Sequence, residues 1–218
     1  MKFSLARRTG AEFLGTAFLV AAVVGSGIMS ERLAGGNVAI ALLANTIATG
    51  AALAALILAL RPISGAHFNP VVSLVEALRG GIHSKEAAIF ALAQICGGIA
   101  GAACANLMFE LPAISASRHA RAGAAQWFSE FVATFGLLLI IRLSARFSSD
   151  WLPLAVALYI VAAYWFTSST SFANPAVTIA RTMSDTFAGI RPADAPGFIT
   201  AQLAGGLFAM IVTGWFGV

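Results

Sequence analysis

The nonapeptide AEFLGTAFL at residues 11–19 returns as SEFVATFGL at 129–137, with Glu12/Glu130, Phe13/Phe131 and Thr16/Thr134 in register. Further into each half comes Asn-Pro, at Asn69-Pro70 and Asn174-Pro175, and then AQICGG (93–98) against AQLAGG (201–206). The three pairs keep their order and lie 118, 105 and 108 residues apart, so the chain reads as two near-equal halves with small differences in loop length.

The medium follows from composition. Of 218 residues, 59% are hydrophobic and 10% charged, with a mean hydropathy of +0.88; a soluble domain carries about 25% charged residues. Runs long enough to cross about 30 Å of hydrocarbon fall at 10–29, 38–60, 86–108, 127–146, 151–169 and 197–217. Six spans in two halves give three per half, an odd number. The second half therefore enters from the opposite side, which makes the duplication an inverted repeat about an axis in the membrane plane. The expected fold is all-α and membrane-spanning, a single domain over 1–218 with repeats at about 1–110 and 120–218.

A net charge of +4 would suggest nucleic acid in a soluble protein, but these basic residues sit between apolar runs and read as topology signals and lipid head-group anchors. With the N-terminus cytoplasmic, Lys2, Arg7, Arg8, Arg61, Arg79, Lys85, Arg142 and Arg146 lie inside and Arg32, Arg118, Arg121, Arg181 and Arg191 outside. Eight against five places both termini in the cytoplasm. No cleavable signal peptide is expected, since the first apolar run is long enough to span and lacks a small-x-small site. Cys96 and Cys104 share one span and read as buried, inert thiols. With no phosphate loop, no metal-ligand cluster and no nucleophile paired with a base, neither an enzyme nor a cofactor or metal site is expected.

Two helical patterns are too short to cross: Asn69 to Gly80 and Asn174 to Gly189. Each opens with Asn as N-cap and Pro at the first helical position, and each ends at Gly. Inverted symmetry puts them in opposite leaflets with their Asn-Pro ends facing one another near the midplane. The irregular stretches before them, 61–68 and 167–173, are tolerable in a bilayer only where they line a water-filled path. Two helix N-termini meeting in a narrow pore raise a barrier to protons and cations, and the Asn amides can donate to a passing oxygen. A channel for small neutral hydroxylated solutes follows.

SGAHFNP at 64–70, NPA at 174–176 and the paired glutamates within a six-span inverted repeat resemble the major intrinsic proteins, the aquaporin and aquaglyceroporin family, over nearly all of the chain. The resemblance implies six tilted helices, two re-entrant half-helices, one pore per subunit and a homotetramer in the cell inner membrane. It implies that Asn69, Pro70, Val71, Asn174, Pro175 and Ala176 cap the half-helices and that Gly65, Ala66, His67, Thr170 and Phe172 line the pore. Glu12 and Glu130 would hold the pore-loop N–H groups. Gln94 and Gln202 read as interhelical hydrogen-bond partners, and the GG pairs after them as close crossings.

Matched without gaps to that family, the selectivity filter falls on Thr49, Ala162, Ser171 and Val177, where water-selective members carry an aromatic, a histidine, a small residue and an arginine. Such a filter is wider and less charged, and resembles the arsenic-associated bacterial branch, whose members pass trivalent arsenic acid; glycerol and some water are the companion cargoes. Arg181, one turn beyond Val177, either pairs with Asp185 or snorkels to the lipid interface, or else sets a cation over the outer vestibule. Val71, in place of the usual alanine, is expected to adjust width at the midplane. The rival readings are a secondary transporter using Glu12 or Glu130 as its coupling group, and a non-conducting structural member of the fold.

Overall fold

A computed structural model describes residues 3–218; Lys2, counted above among the cytoplasmic basic residues, lies outside them. All regular structure among the described residues is helical: α1 (Leu5–Leu33), α2 (Val38–Ser64), α3 (Pro70–Leu78), α4 (Ser84–Met108), α5 (Ala124–Phe147), α6 (Leu152–Phe166), α7 (Pro175–Arg181) and α8 (Ala195–Trp215). Single 3-10 turns precede α6 and α8. Six segments, α6 and α8 being counted with the turns before them, are long and apolar enough to cross a membrane, and α3 and α7 are the two short ones.

The polarity of the long helices is inverted relative to a soluble bundle. In α1, Leu14 and Phe18 point outward while Glu12 and Thr16 are fully buried. Lipid solvates the apolar face, so association rests on close packing and internal hydrogen bonds. Glycine supplies the closeness: a Cβ on Gly97 or Gly101 of α4 would lie 2.2 Å from Phe13 O and 2.1 Å from Ala17 O of α1, and one on Gly205 of α8 would lie 2.4 Å from Phe131 O of α5. Backbone touches backbone at both crossings, α1 on α4 and α5 on α8.

Between these two pairs sit α3 and α7, each packed against both α4 and α8. Asn69 and Asn174 cap them: Asn69 Oδ1 accepts from Val71 N at 2.9 Å, and Asn174 Oδ1 from Ala176 N at 2.9 Å and Val177 N at 3.3 Å. Proline at the first helical position of each removes an N–H that would have no intrahelical partner.

Three expectations fail here. Residues 61–64, expected to be irregular, form the last turn of α2. The second half-helix was expected to run to Gly189 but ends at Arg181. In the TMSD segment after it, Thr182 Oγ1 folds back onto Ile179 O at 2.6 Å, while Ser184 Oγ reaches across to Asn106 Oδ1 of α4 at 2.7 Å. Cys96 and Cys104 are not buried; both are exposed on the outer face of α4.

Candidate functional site

The loops leading into α3 and α7 run through left-handed backbone at non-glycine residues: Ala66 (φ 52°) and Phe68 (φ 48°) in the first, Thr170 (φ 61°), Ser171 (φ 51°) and Ala173 (φ 49°) in the second. Each such residue costs on the order of 1–3 kcal/mol and persists only where its surroundings hold it. Here buried carboxylates do. Glu12 Oε1 accepts from His67 N at 3.0 Å and Ser64 Oγ at 2.6 Å, and its Oε2 from Phe68 N at 2.7 Å and Gln94 Nε2 at 2.8 Å. Glu130 accepts from Phe172 N and Ala173 N, both at 2.8 Å, and from Gln202 Nε2 at 2.6 Å. With the N–H groups turned to the carboxylates, the loop carbonyls face the other way.

The same glutamines tie the loops to the half-helices, Gln94 Nε2 donating to Ser73 Oγ at 3.0 Å and Gln202 Nε2 to Thr178 Oγ1 at 2.9 Å. Glu12 thus takes four donors and Glu130 three, which suits a scaffold and not a coupling group that must gain and lose a proton.

The half-helix ends are cross-linked at their tips. Asn69 Nδ2 donates to Ala173 O and Asn174 Nδ2 to Phe68 O, each at 2.7 Å. An amide nitrogen has two donors, so each Asn keeps one N–H beyond this bond. Both side chains line one continuous cavity of about 240 Å³. Its wall has two helical stripes at i, i+4, i+8 spacing, Thr49–Leu53–Ile57 of α2 and Val156–Ile160–Tyr164 of α6, with Val72 and Val177 from the half-helices. One mouth holds Arg61, Glu76 and Arg142, the other Tyr164, Phe172 and Arg181.

Of the expected lining residues, Gly65, Ala66, His67 and Phe172 are in the wall, and so are Thr49, Ser171 and Val177. Ala162 is not: it lies exposed on the outside of α6 while Tyr164 faces inward, 3.5 Å from Thr49 Oγ1 through its hydroxyl. A gap-free count missed by two residues, and two residues are about 200° around a helix. Thr170 also falls outside the wall, its N–H closing a turn onto Thr167 O at 3.2 Å. Val71 is fully buried away from the cavity; a Cβ on Gly206 of α8 would lie 2.2 Å from Val71 Cγ1. It shapes a helix contact, not the width of the passage. His67 Nδ1 pairs with Ser73 Oγ at 3.0 Å, and its ring meets Phe90 edge-on.

Arg181 settles between its two readings. Asp185 is occupied by Arg118, which donates to it from its backbone N at 2.8 Å and from Nε at 2.9 Å; these bonds hold the Asp185 carboxyl below the usual carboxylate range. Arg181 is 2% exposed and lies in the cavity wall, its Nε donating to Ala188 O and its guanidinium 3.3 Å from the Phe172 ring centroid. A second cation, Arg121, lies 5.2 Å from the same ring and donates through Nε to Gly189 O at 2.8 Å. Sequence reasoning missed Arg121 and Tyr164. Tyr164 was findable from the four-residue spacing with Val156 and Ile160; Arg121 sits in an irregular loop that carries no periodic signal. Burial and the Arg121 cation lower the pKa of the neighbouring His119.

The family model of the major intrinsic proteins matches residues 1–149. Aquaglyceroporin AqpS of Rhizobium meliloti is 55% identical over 214 residues, covering 98% of this chain and 91% of that protein. Aquaporin NIP1-4 of Oryza sativa is 34% identical over 143 residues, 65% of this chain and 51% of the rice protein. Among solved structures, the aquaglyceroporin from Plasmodium falciparum superposes with a TM-score of 0.70 at 20% identity, over 95% of this chain and 94% of that one. At that identity the superposition speaks for the fold.

Proposed function

The chain belongs to the major intrinsic protein family and is a multi-pass, non-enzymatic, aquaglyceroporin-type channel for small solutes, and we propose that its cargoes are glycerol, trivalent arsenic acid and some water, selected by a filter with no charge at position 177. The observation that carries this reading is Val177: its side chain lies in the cavity wall with Thr49, Ser171 and both half-helix asparagines. An arginine at that point would narrow the passage and add directional donors. Valine leaves an apolar wall beside polar hydroxyls and amides, which suits compact, uncharged molecules with several hydroxyl groups. Tyr164 replaces Ala162 as the fourth member of the proposed filter.

The reading extends to assembly and placement. We propose one channel domain with inverted repeats at about 1–110 and 120–218, a homotetramer with a pore in each subunit, and a position in the inner membrane with both termini cytoplasmic. The excess of Lys and Arg on one side supports that orientation. On it, the Arg142 mouth opens to the cytoplasm and the Arg181 mouth to the outside.

The test is stopped-flow light scattering on proteoliposomes, with water, glycerol and trivalent arsenic acid as solutes. Val177→Arg is expected to lower glycerol and arsenic acid flux by about tenfold, equivalent to about 1.4 kcal/mol on the passage barrier, with a smaller fall for water. Equal fluxes in wild type and variant would remove Val177 from the filter.

A further inference from the structure

Arg181 is a buried charge that the fold does not neutralise. Among the described residues it makes no ion pair, and the one hydrogen bond of its side chain uses Nε. The acids around it are otherwise engaged: Glu130 by Phe172 N, Ala173 N and Gln202, Asp185 by Arg118, and Asp194 by Arg191 and the backbone of Arg121. Arg121 adds a second positive charge beside the same aromatic ring. Burying an unpaired cation is costly, and the Phe172 π face and the Ala188 carbonyl offset only part of that. A guanidinium has five N–H donors; the terminal ones of Arg181 have no protein partner among the described residues, and the side chain borders the cavity at its mouth.

We infer that Arg181 is the floor of a small oxyanion-binding subsite in this mouth, taking an anionic group that presents two oxygens side by side, such as a planar carboxylate or a tetrahedral sulfonate. The free edge of a guanidinium matches two such oxygens at once. Stacking on Phe172 fixes the plane of the fork, and Arg121 supplies field without occupying the space. Below the subsite the wall carries Val177, Ile160 and Leu53, and the few neutral donors among them, the Asn69 and Asn174 amides and the Thr49 and Ser171 hydroxyls, do not replace the hydration shell of an ion. The anion therefore stays at the mouth and obstructs neutral solutes. The inference rests on the channel reading above, because obstruction is read through glycerol flux.

The experiment uses methanesulfonate, which is ionised at all working pH values, added to both sides of glycerol-loaded proteoliposomes, with chloride at equal ionic strength as the reference. Wild type is expected to lose at least half of its glycerol flux at about 10 mM, as an interaction of millimolar affinity requires. In Arg181→Gln, the flux measured with and without methanesulfonate should be the same. Arg181→Lys, which keeps the charge and loses the planar fork, should retain less than half of the wild-type inhibition. A wild-type flux indifferent to methanesulfonate overturns the subsite and leaves the channel intact; inhibition that persists in Arg181→Gln overturns it as well. A wild-type protein with no glycerol flux at all strikes the channel reading instead.

Discussion

The two half-helices correspond residue by residue at a constant offset of 105 positions, and they differ where it matters chemically. Ser64 and Ser169, His67 and Phe172, Phe68 and Ala173, Asn69 and Asn174, and Ser73 and Thr178 are such pairs. The hydrogen bonds follow the register: each glutamate takes two consecutive loop N–H groups, and each asparagine donates to the carbonyl preceding the other. Seven residues beyond each asparagine the halves part. Glu76 is paired with Arg142 at 3.0 Å with both side chains partly exposed, whereas Arg181 is buried on an aromatic ring without a carboxylate. The scaffold repeats the same hydrogen bonds because both loops must hold the same strained backbone. The mouths face different solutions and are free to diverge.

The largest expected effect falls on what the halves share. Glu12→Ala strips the acceptor from two backbone N–H groups, Ser64 and Gln94 in a site closed to water. At about 1–3 kcal/mol for each buried donor left unpaired, the loss approaches the whole stability of an ordinary domain. Glycerol flux should vanish and the protein should aggregate on extraction. Glu130→Ala should behave alike; a stable, conducting variant of either would show that the loop stands without its carboxylate.

A smaller effect tests the one place where the shared caps differ in packing, Val71 against Ala176. Val71 Cγ1 fills the space where Gly206 has no side chain. Gly206→Ala should therefore overpack the α3–α8 contact and cost about 1–3 kcal/mol, read as a lower unfolding temperature in detergent. Val71→Ala in the same chain should recover most of that loss, and the double-mutant cycle should return a coupling energy of about 1 kcal/mol or more. Additive losses would mean that the two side chains do not share the space. Since Val71 lies outside the cavity, solute selectivity should not change in either variant.

Which parts of this were legible beforehand follows a physical line. The spans and the Asn-Pro caps were readable because each rests on a local rule: about 20 apolar residues to cross a bilayer, an Asn side chain over a helix N-terminus; the paired glutamates stood out by the internal repeat, and their role came from the family resemblance. Ala162 failed because the residue facing a pore depends on the rotation of a whole helix, which a fixed count across a loop does not preserve. Val71 failed because its partner, Gly206, is 135 residues away and a glycine leaves no mark of what it makes room for. The end of α7 was lost to side-chain competition in TMSD, and the setting of Arg181 to the arrival of Arg118 on Asp185 from another loop.

The smallest effects should separate the two mouths by sign. Glu76→Gln breaks an ion pair between partly exposed side chains, whose contribution is about 1 kcal/mol or less; the unfolding temperature should fall slightly, and the difference from wild type should shrink as salt rises. Arg181→Gln removes a buried charge that has no acid to lose. The relief of desolvation opposes the loss of the Ala188 bond and the Phe172 stack, so the unfolding temperature should hold or rise, with little dependence on salt. If both substitutions destabilise equally and with the same salt response, Arg181 has a carboxylate-like counterpart in the folded protein and the two mouths are electrostatically alike. If they differ in sign, one mouth is neutralised within the fold and the other carries a charge that only a molecule in the passage can satisfy.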